Sequence, residues 1–134
     1  MYTTSIDIRV RYAETDQMGF VYYGNYATYF EIGRVEALRS LGLSYKTMEE
    51  EGCLLPVVDF HIKYLAPATY DDLIRVETTI DILPTSKIHF VYKCFNGDKL
   101  LTTAETTLVF MNSETKRPMR CPQPLLDKLQ SFFM

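Results

Sequence analysis

Between Ser5 and Tyr12 apolar and polar side chains alternate strictly, with Ile6, Ile8, Val10 and Tyr12 set against Ser5, Asp7, Arg9 and Arg11. A period of two puts successive side chains on opposite faces, so this segment is expected to be a half-buried strand. Alternation stops at Ala13, and the run ETDQMG from Glu14 to Gly19 is a polar connector closed by glycine. The period then changes. From Asn25 to Leu41 no proline interrupts, and Tyr26, Phe30, Gly33, Ala37 and Leu41 fall on one helical stripe. Ala27, Tyr29 and Leu38 widen that stripe, while Ile32 and Val35 project from the far side. A helix of ~17 residues, roughly 26 Å long and apolar round most of its circumference, is expected to be covered on most sides. Gly42 suits the left-handed position just past its end. Arg34 lies inside the apolar arc, and Glu31, three residues earlier, is its expected partner.

A short polar helix or turn from Ser44 to Glu51 leads to Gly52 and Pro56, after which period two returns. Val58, Phe60, Ile62 and Tyr64 alternate with Asp59, His61 and Lys63. Ile74, Val76, Thr78, Ile80 and Ile82 alternate with Arg75, Glu77, Thr79 and Asp81. Ile88, Phe90, Tyr92 and Cys94 form the apolar half of the next strand, and Asn96-Gly97 is a hairpin turn signal. A last strand from about Lys99 to Met111 is rich in threonine and β-branched residues, and Pro122 and Pro124 open a short amphipathic tail. Five strands and one large apolar helix predict an α+β fold in the order β-α-β-β-β-β. A curved five-stranded antiparallel sheet would wrap around the long central helix, the only large apolar partner available to it.

The chain has 134 residues, 47% of them hydrophobic and 23% charged, with a net charge of −3. That balance suits one domain spanning residues 1–134 and lacks the basic signature of a nucleic-acid binder. No apolar run is long enough to span a bilayer, and the alternating N-terminus does not resemble a signal peptide, so a cytoplasmic protein is expected. Cys53, Cys94 and Cys121 are odd in number and scattered, the usage of free thiols in a reducing compartment. His61 and His89 each stand alone inside a strand-like run, so no metal and no other cofactor is expected.

Chemistry is concentrated in Tyr12–Tyr26, YAETDQMGFVYYGNY. A strand ends, a carboxylate follows at Asp16, and the chain then enters the N-terminus of the buried helix. Free backbone N–H groups and the positive end of the dipole make that terminus a ready site for an oxyanion. A carboxylate held beside it can attack a carbonyl or activate water, and the same N–H groups would stabilise a tetrahedral oxyanion. Acidic residues also favour turns and helix starts for purely structural reasons.

The run Asp16-x-x-Gly19-x-Val21-x-Tyr23-x-Asn25-Tyr26, followed by an apolar helix with Glu31 and Arg34, resembles the hot-dog-fold acyl-CoA thioesterases. The likeness is to the hydroxybenzoyl-CoA thioesterase class and its bacterial acyl-CoA relatives. Pro67-x-x-Tyr70-Asp71-Asp72 and Ser86-Lys87-Ile88-x-Phe90 extend it from Ile6 to about Met111. The resemblance implies hydrolysis of an acyl- or aroyl-CoA thioester, with Asp16 as the catalytic carboxylate and the main-chain N–H of Tyr23 polarising the carbonyl. It places Gly19 in the catalytic loop and Glu31 at an acidic position of the acyl pocket; Tyr22, Tyr26 and Tyr29 could line that pocket, though aromatic residues at helical spacing are more often core. It sets Lys87 with Ser86, and more weakly Lys63, at the coenzyme A phosphates. Many bacterial relatives carry histidine where this chain has Tyr23, and the aroyl-CoA type carries an aromatic residue there. The resemblance also implies a homodimer or homotetramer with active sites at the subunit interface.

Other functions fit less well. No serine has a G-x-S-x-G context for a Ser-His-Asp hydrolase. A hot-dog dehydratase or hydratase needs a histidine working with a helix carboxylate, and none lies near Glu31 or Glu36. Two alternatives remain open at this point: a non-catalytic acyl-CoA-binding sensor module, which would need the pocket but not Asp16, and a thioesterase acting on acyl carrier protein.

Overall fold

The computed structural model describes residues 1–134. Strand β1 (Tyr2–Arg9) leads through a single 3-10 turn at Tyr12–Glu14 to the long helix α1 (Asn25–Ser40). A short helix α2 (Tyr45–Glu50), capped by Ser44, precedes β2 (Cys53–Leu54) and β3 (Val57–Tyr64). Then come β4 (Leu73–Ile80), β5 (Lys87–Asn96), β6 (Lys99–Val109), β7 (Met111–Asn112) and α3 (Gln123–Gln130).

The main sheet has five antiparallel strands in the order β1-β4-β5-β6-β3, and β2 pairs with β7 in a separate two-stranded ribbon. This is the expected α+β plan, with two differences. The first strand ends earlier than its alternation suggests. Val10 exchanges backbone hydrogen bonds with the Asp71–Asp72 turn, and the chain then coils into the 3-10 turn. Tyr12 is therefore exposed, its ring resting edge-on against Tyr70. Secondly, β3 does not pair with its successor. The segment after it crosses to the far side of the sheet, which leaves β1 and β3 as the two edges.

Helix α1 packs against one face of the main sheet, over β1, β4 and β5. Tyr26, Tyr29, Phe30, Ala37 and Leu38 are buried there against Ile74, Val76, Ile88, Phe90 and Tyr92. Closest approach falls at Gly33, where a Cβ would stand 2.5 Å from Thr78 Oγ1 and 3.1 Å from Val76 Cγ1. The helix stops as its sequence predicts. Leu43 N–H reaches back to Leu38 O and Gly42 N–H to Arg39 O, the paired bonds of a Schellman ending, with Gly42 at φ +83°.

Arg34 does not pair with Glu31. Its stem lies between α1 and its neighbours, and Nε donates to the Tyr45 hydroxyl at 3.1 Å while Glu31 stays in solvent. Burial weighs against the Arg34 charge, but the phenol oxygens of Tyr45 and Tyr92 more than offset it. No helix of the chain is long and apolar enough to cross a membrane.

Candidate active site

The loop between β1 and α1 is a tight reversal built around Asp16. Asp16 N–H donates to Phe20 O at 2.7 Å, Gly19 N–H donates to Asp16 O at 2.9 Å, and Thr15 bridges to Val21. Gly19 takes φ +83°, a conformation that a side chain would strain. The Asp16 side chain completes the turn. Its Oδ1 accepts from Met18 N–H at 2.9 Å and from Phe20 N–H at 3.1 Å. One carboxylate oxygen is thus fixed by the main chain, and Oδ2 has no partner within the protein. The loop is stitched to the sheet as well, by Val21 N–H to Ala68 O and a bridge from Phe20 to Thr69.

Nine residues after Asp16, α1 begins without a capping side chain. Tyr22 N–H donates to Glu14 O, Asn25 N–H to Tyr22 O and Tyr26 N–H to Tyr23 O. The N–H groups of Tyr23 and Gly24 have no acceptor in the chain. The Tyr23 carbonyl, which shares a peptide group with the Gly24 N–H, accepts from the Tyr64 hydroxyl at 3.3 Å. Burial, and then the neighbouring Tyr23, push the Tyr64 phenol up, so it remains a donor. Gly24 leaves room for the Tyr22 ring, which would stand 3.1 Å from a Cβ at that position.

Asp16 and Tyr23 share a cavity of about 330 Å³ whose other walls are Met18, Phe20, Val21, Tyr26, Tyr64 and the Leu65–Pro67 turn. Aromatic edges dominate it, with Tyr26 and Tyr64 meeting edge to face at 5.4 Å. The site therefore offers a carboxylate oxygen, unspent N–H donors on a helix start and an apolar wall. Those are the parts needed to bind a carbonyl, add a nucleophile to it and shelter its apolar substituent.

A larger cavity of about 450 Å³ lies at the opposite end of α1, among Leu43, Met48, Cys53, Met119 and Leu125. Polar groups at its rim are already engaged. Arg39 Nε contacts both Glu36 carboxylate oxygens at 3.2 Å, and Ser44 Oγ accepts from Thr47 N–H at 3.1 Å.

Comparison with known proteins decides the family. A model of the thioesterase-like superfamily matches residues 10–129. The chain belongs to that superfamily. A putative acyl-CoA thioesterase of Bacillus subtilis, YneP, is 36% identical over 121 residues, covering 90% of this chain and 88% of its own. The DHNA-CoA thioesterase of Staphylococcus aureus superposes with a TM-score of 0.91 at 33% identity, over 99% of this chain and 94% of its own. A 4-hydroxybenzoyl CoA thioesterase, solved with 4-hydroxybenzoyl CoA, shares the fold with a TM-score of 0.85 at 20% identity, over 96% and 99% of the two chains. This thioesterase accordingly has the hot-dog fold, and it is an enzyme, a thioester hydrolase.

Within this thioesterase the expected residues do not all meet. Asp16, Tyr23 and Tyr26 line one cavity, and Gly19 shapes the loop that carries Asp16. Tyr22 stands beside them, exposed, with its ring 4.6 Å from that of Tyr23. Glu31 is exposed further along α1 and lines no part of the cavity. Lys63 lies in a depression on the sheet with His61, Val91 and Glu105. Ser86 and Lys87 open β5, where Lys87 pairs with Val109 and neighbouring Leu108 pairs with Val57. Tyr64 is at the other end of β3, so one chain separates Lys87 from Asp16 by most of a strand, roughly 23 Å.

Sequence reasoning missed Phe20, Tyr64 and Leu65 in the cavity wall, and Glu14 and Asn25 behind the loop. The Tyr64-Leu65-Ala66-Pro67 turn was the available signal for the wall, since proline closes the strand beside an aromatic residue.

Proposed function

We propose that this thioesterase hydrolyses acyl- or aroyl-CoA thioesters to the free acid and CoA, with Asp16 as the reacting carboxylate. The observation that carries the reading is the pairing of a half-engaged carboxylate with unspent main-chain donors around one apolar cavity. The thioester carbonyl oxygen accepts from Tyr23 N–H, and the acyl group lies along Phe20, Tyr26 and Tyr64. Asp16 then works in one of two ways. It adds to the carbonyl carbon and expels CoA thiolate, which is protonated, leaving a mixed anhydride that water opens. Otherwise it takes a proton from water as that water adds, and the tetrahedral oxyanion collapses with loss of the thiol. Either route consumes one water and gives one acid and one thiol.

The decisive experiment is thiol release from short, medium and long acyl-CoA, benzoyl-CoA and phenylacetyl-CoA, by wild type beside Asp16→Asn. Turnover in wild type and a loss of at least about 10²-fold in Asp16→Asn is the expected result. Retained turnover in Asp16→Asn would remove that residue from the chemistry. Silence from both proteins would favour an acyl-carrier-protein thioester as substrate or a binding module.

The reading extends to a homodimer. Edge strand β3 is exposed along nearly its whole length, with Val57, Val58, Phe60 and Tyr64 presented to solvent. An unpaired edge of eight residues that exposes four large hydrophobic side chains is one that a folded protein covers. A second copy paired antiparallel through β3 would set its own Val57 end beside the Tyr64 end of the first. The partner's Ser86 and Lys87 would then come to the Asp16 end of the sheet, about three strand spacings or roughly 14 Å aside, within reach of a coenzyme A phosphate tail. Val58→Glu is expected to give a monomer by light scattering and to lose turnover with it. A monomeric variant with full turnover would show that one chain suffices.

A further inference from the structure

Glu14 belongs to the polar connector and carries none of the proposed chemistry, yet it ties the Asp16 loop to the start of α1. Its side chain is only 13% exposed. Oε1 accepts from Arg11 N–H at 2.8 Å and from the Tyr29 hydroxyl at 3.0 Å. Its carbonyl accepts from Asn25 Nδ2 at 2.8 Å and from Tyr22 N–H at 2.9 Å. The Arg11 guanidinium lies 3.6 Å from Oε2, but Arg11 is 73% exposed and that pair counts for little.

We propose that Glu14 is the positioning residue of this active site, holding the Asp16 carboxylate and the Tyr23–Gly24 donors at one fixed separation. The proposal rests on the reading of Asp16 given above. On one side of Glu14 the chain runs two residues to Asp16 through Thr15, itself bridged to Val21. On the other, its carbonyl grips Tyr22, the residue before the unspent donors, and Asn25, the first residue of α1. The carboxylate pins this junction to Tyr29 in the second turn of the helix, so loop and helix start move as one body. Burial, and then the Glu14 carboxylate itself, push the Tyr29 phenol well above its ordinary range, which keeps the proton on Tyr29 and the bond pointing at Glu14. A carboxylate suits this task, because charge-assisted bonds are shorter and more narrowly directed than those of a neutral acceptor. A misplacement of about 1 Å between reacting groups is enough to cost roughly 10² in rate.

The test compares Glu14→Ala, Glu14→Gln and Tyr29→Phe with wild type and Asp16→Asn, each melted to confirm folding. Glu14→Ala is expected to lower kcat by roughly 10²-fold with KM within about 3-fold. Glu14→Gln, which keeps an acceptor oxygen, is expected to recover to within about 10-fold of wild type, and Tyr29→Phe to lose a few-fold. A merely structural role would lower the melting temperature and leave the kcat of the folded molecules alone; that result overturns the proposal, as does a Gln variant no better than Ala. Should Glu14→Ala fail to fold, an unchanged kcat in Tyr29→Phe overturns it equally. Amide hydrogen exchange reads the loop without any substrate. At least about 10-fold faster exchange at Met18, Phe20 and Tyr22 is expected in Glu14→Gln or Glu14→Ala, since opening free energy sets that rate. Unchanged exchange overturns the positioning role whatever becomes of Asp16, whereas turnover in Asp16→Asn overturns the chemistry and leaves the exchange result standing.

Discussion

The two ends of α1 carry the two cavities of interest, and the smaller one is the proposed active site. At the C-terminal end the helix closes on itself, its last donors folded back on Leu38 and Arg39, and the cavity beside it is walled by Leu43, Met48, Cys53 and Met119. At the N-terminal end the helix starts uncapped, its Tyr23 and Gly24 donors unspent, beside a carboxylate with one oxygen free. Volume ranks the ends one way and unsatisfied hydrogen-bonding capacity the other. The proposed chemistry follows the second, because stabilising a developing charge takes dipoles that are already aimed and not already used.

Substitutions should break the two ends in different currencies. At the N-terminal end the Asp16→Asn loss of turnover is expected with little change in melting temperature, since the side chain is half-exposed in a loop. At the other end Met48, 5% exposed, is packing material. Met48→Ala is expected to cost about 2–5 kcal/mol in chemical denaturation while kcat per folded molecule stays unchanged. A fall in kcat there would mean that the larger cavity communicates with the site. Gly33 lies between the ends, and Gly33→Ala tests how rigidly they are joined. Overpacking against Thr78 Oγ1 is expected to cost about 1–3 kcal/mol. A neutral result by thermal melting would mean that the helix shifts freely on the sheet.

The smallest expected effect is alkaline. Burial pushes Cys121 up from 9.0 to about 12, with Cys53 adding to the shift, and burial pushes Tyr45 up from 10.0 to about 12 against the pull of Arg34. The folded chain therefore holds these protons after the unfolded chain has released them. Stability is intact below about pH 9 and falls as pH rises toward 12. Cys121→Ala is expected to flatten the decline in melting temperature between pH 9 and 11. An unchanged slope would place the alkaline weakness elsewhere.

Much of this was legible in the residue pattern. Period two marked four of the strands, threonine and β-branched content the fifth, and period 3.6 the helix, because each buries one face and the burial alternates with the backbone geometry. Asp16, Gly19, Tyr23 and Tyr26 were legible because they are consecutive features of one loop and one helix start. What escaped depends on partners distant in the chain. The path of β3 to the sheet edge is set by its pairing with β6, which local alternation does not encode. Arg34 finds Tyr45 rather than Glu31 because α2 folds back over it. Glu14 looks like any turn acid until Arg11, Tyr22, Asn25 and Tyr29 converge on it. Lys87 was assigned to the ligand site by resemblance, and within one subunit it lies level with Val57, at the other end of β3 from Tyr64 and the Asp16 cavity.

The donors at Tyr23 and Gly24 belong to the main chain. Their chemistry is written in conformation rather than in residue identity, so almost any side chain at position 23 leaves them in place. The Tyr23 side chain also lines the cavity. Selection for a new acyl group can therefore act on that position without touching the donor, as can an engineer's library. A hydrolytic centre arranged this way separates what it does from what it accepts.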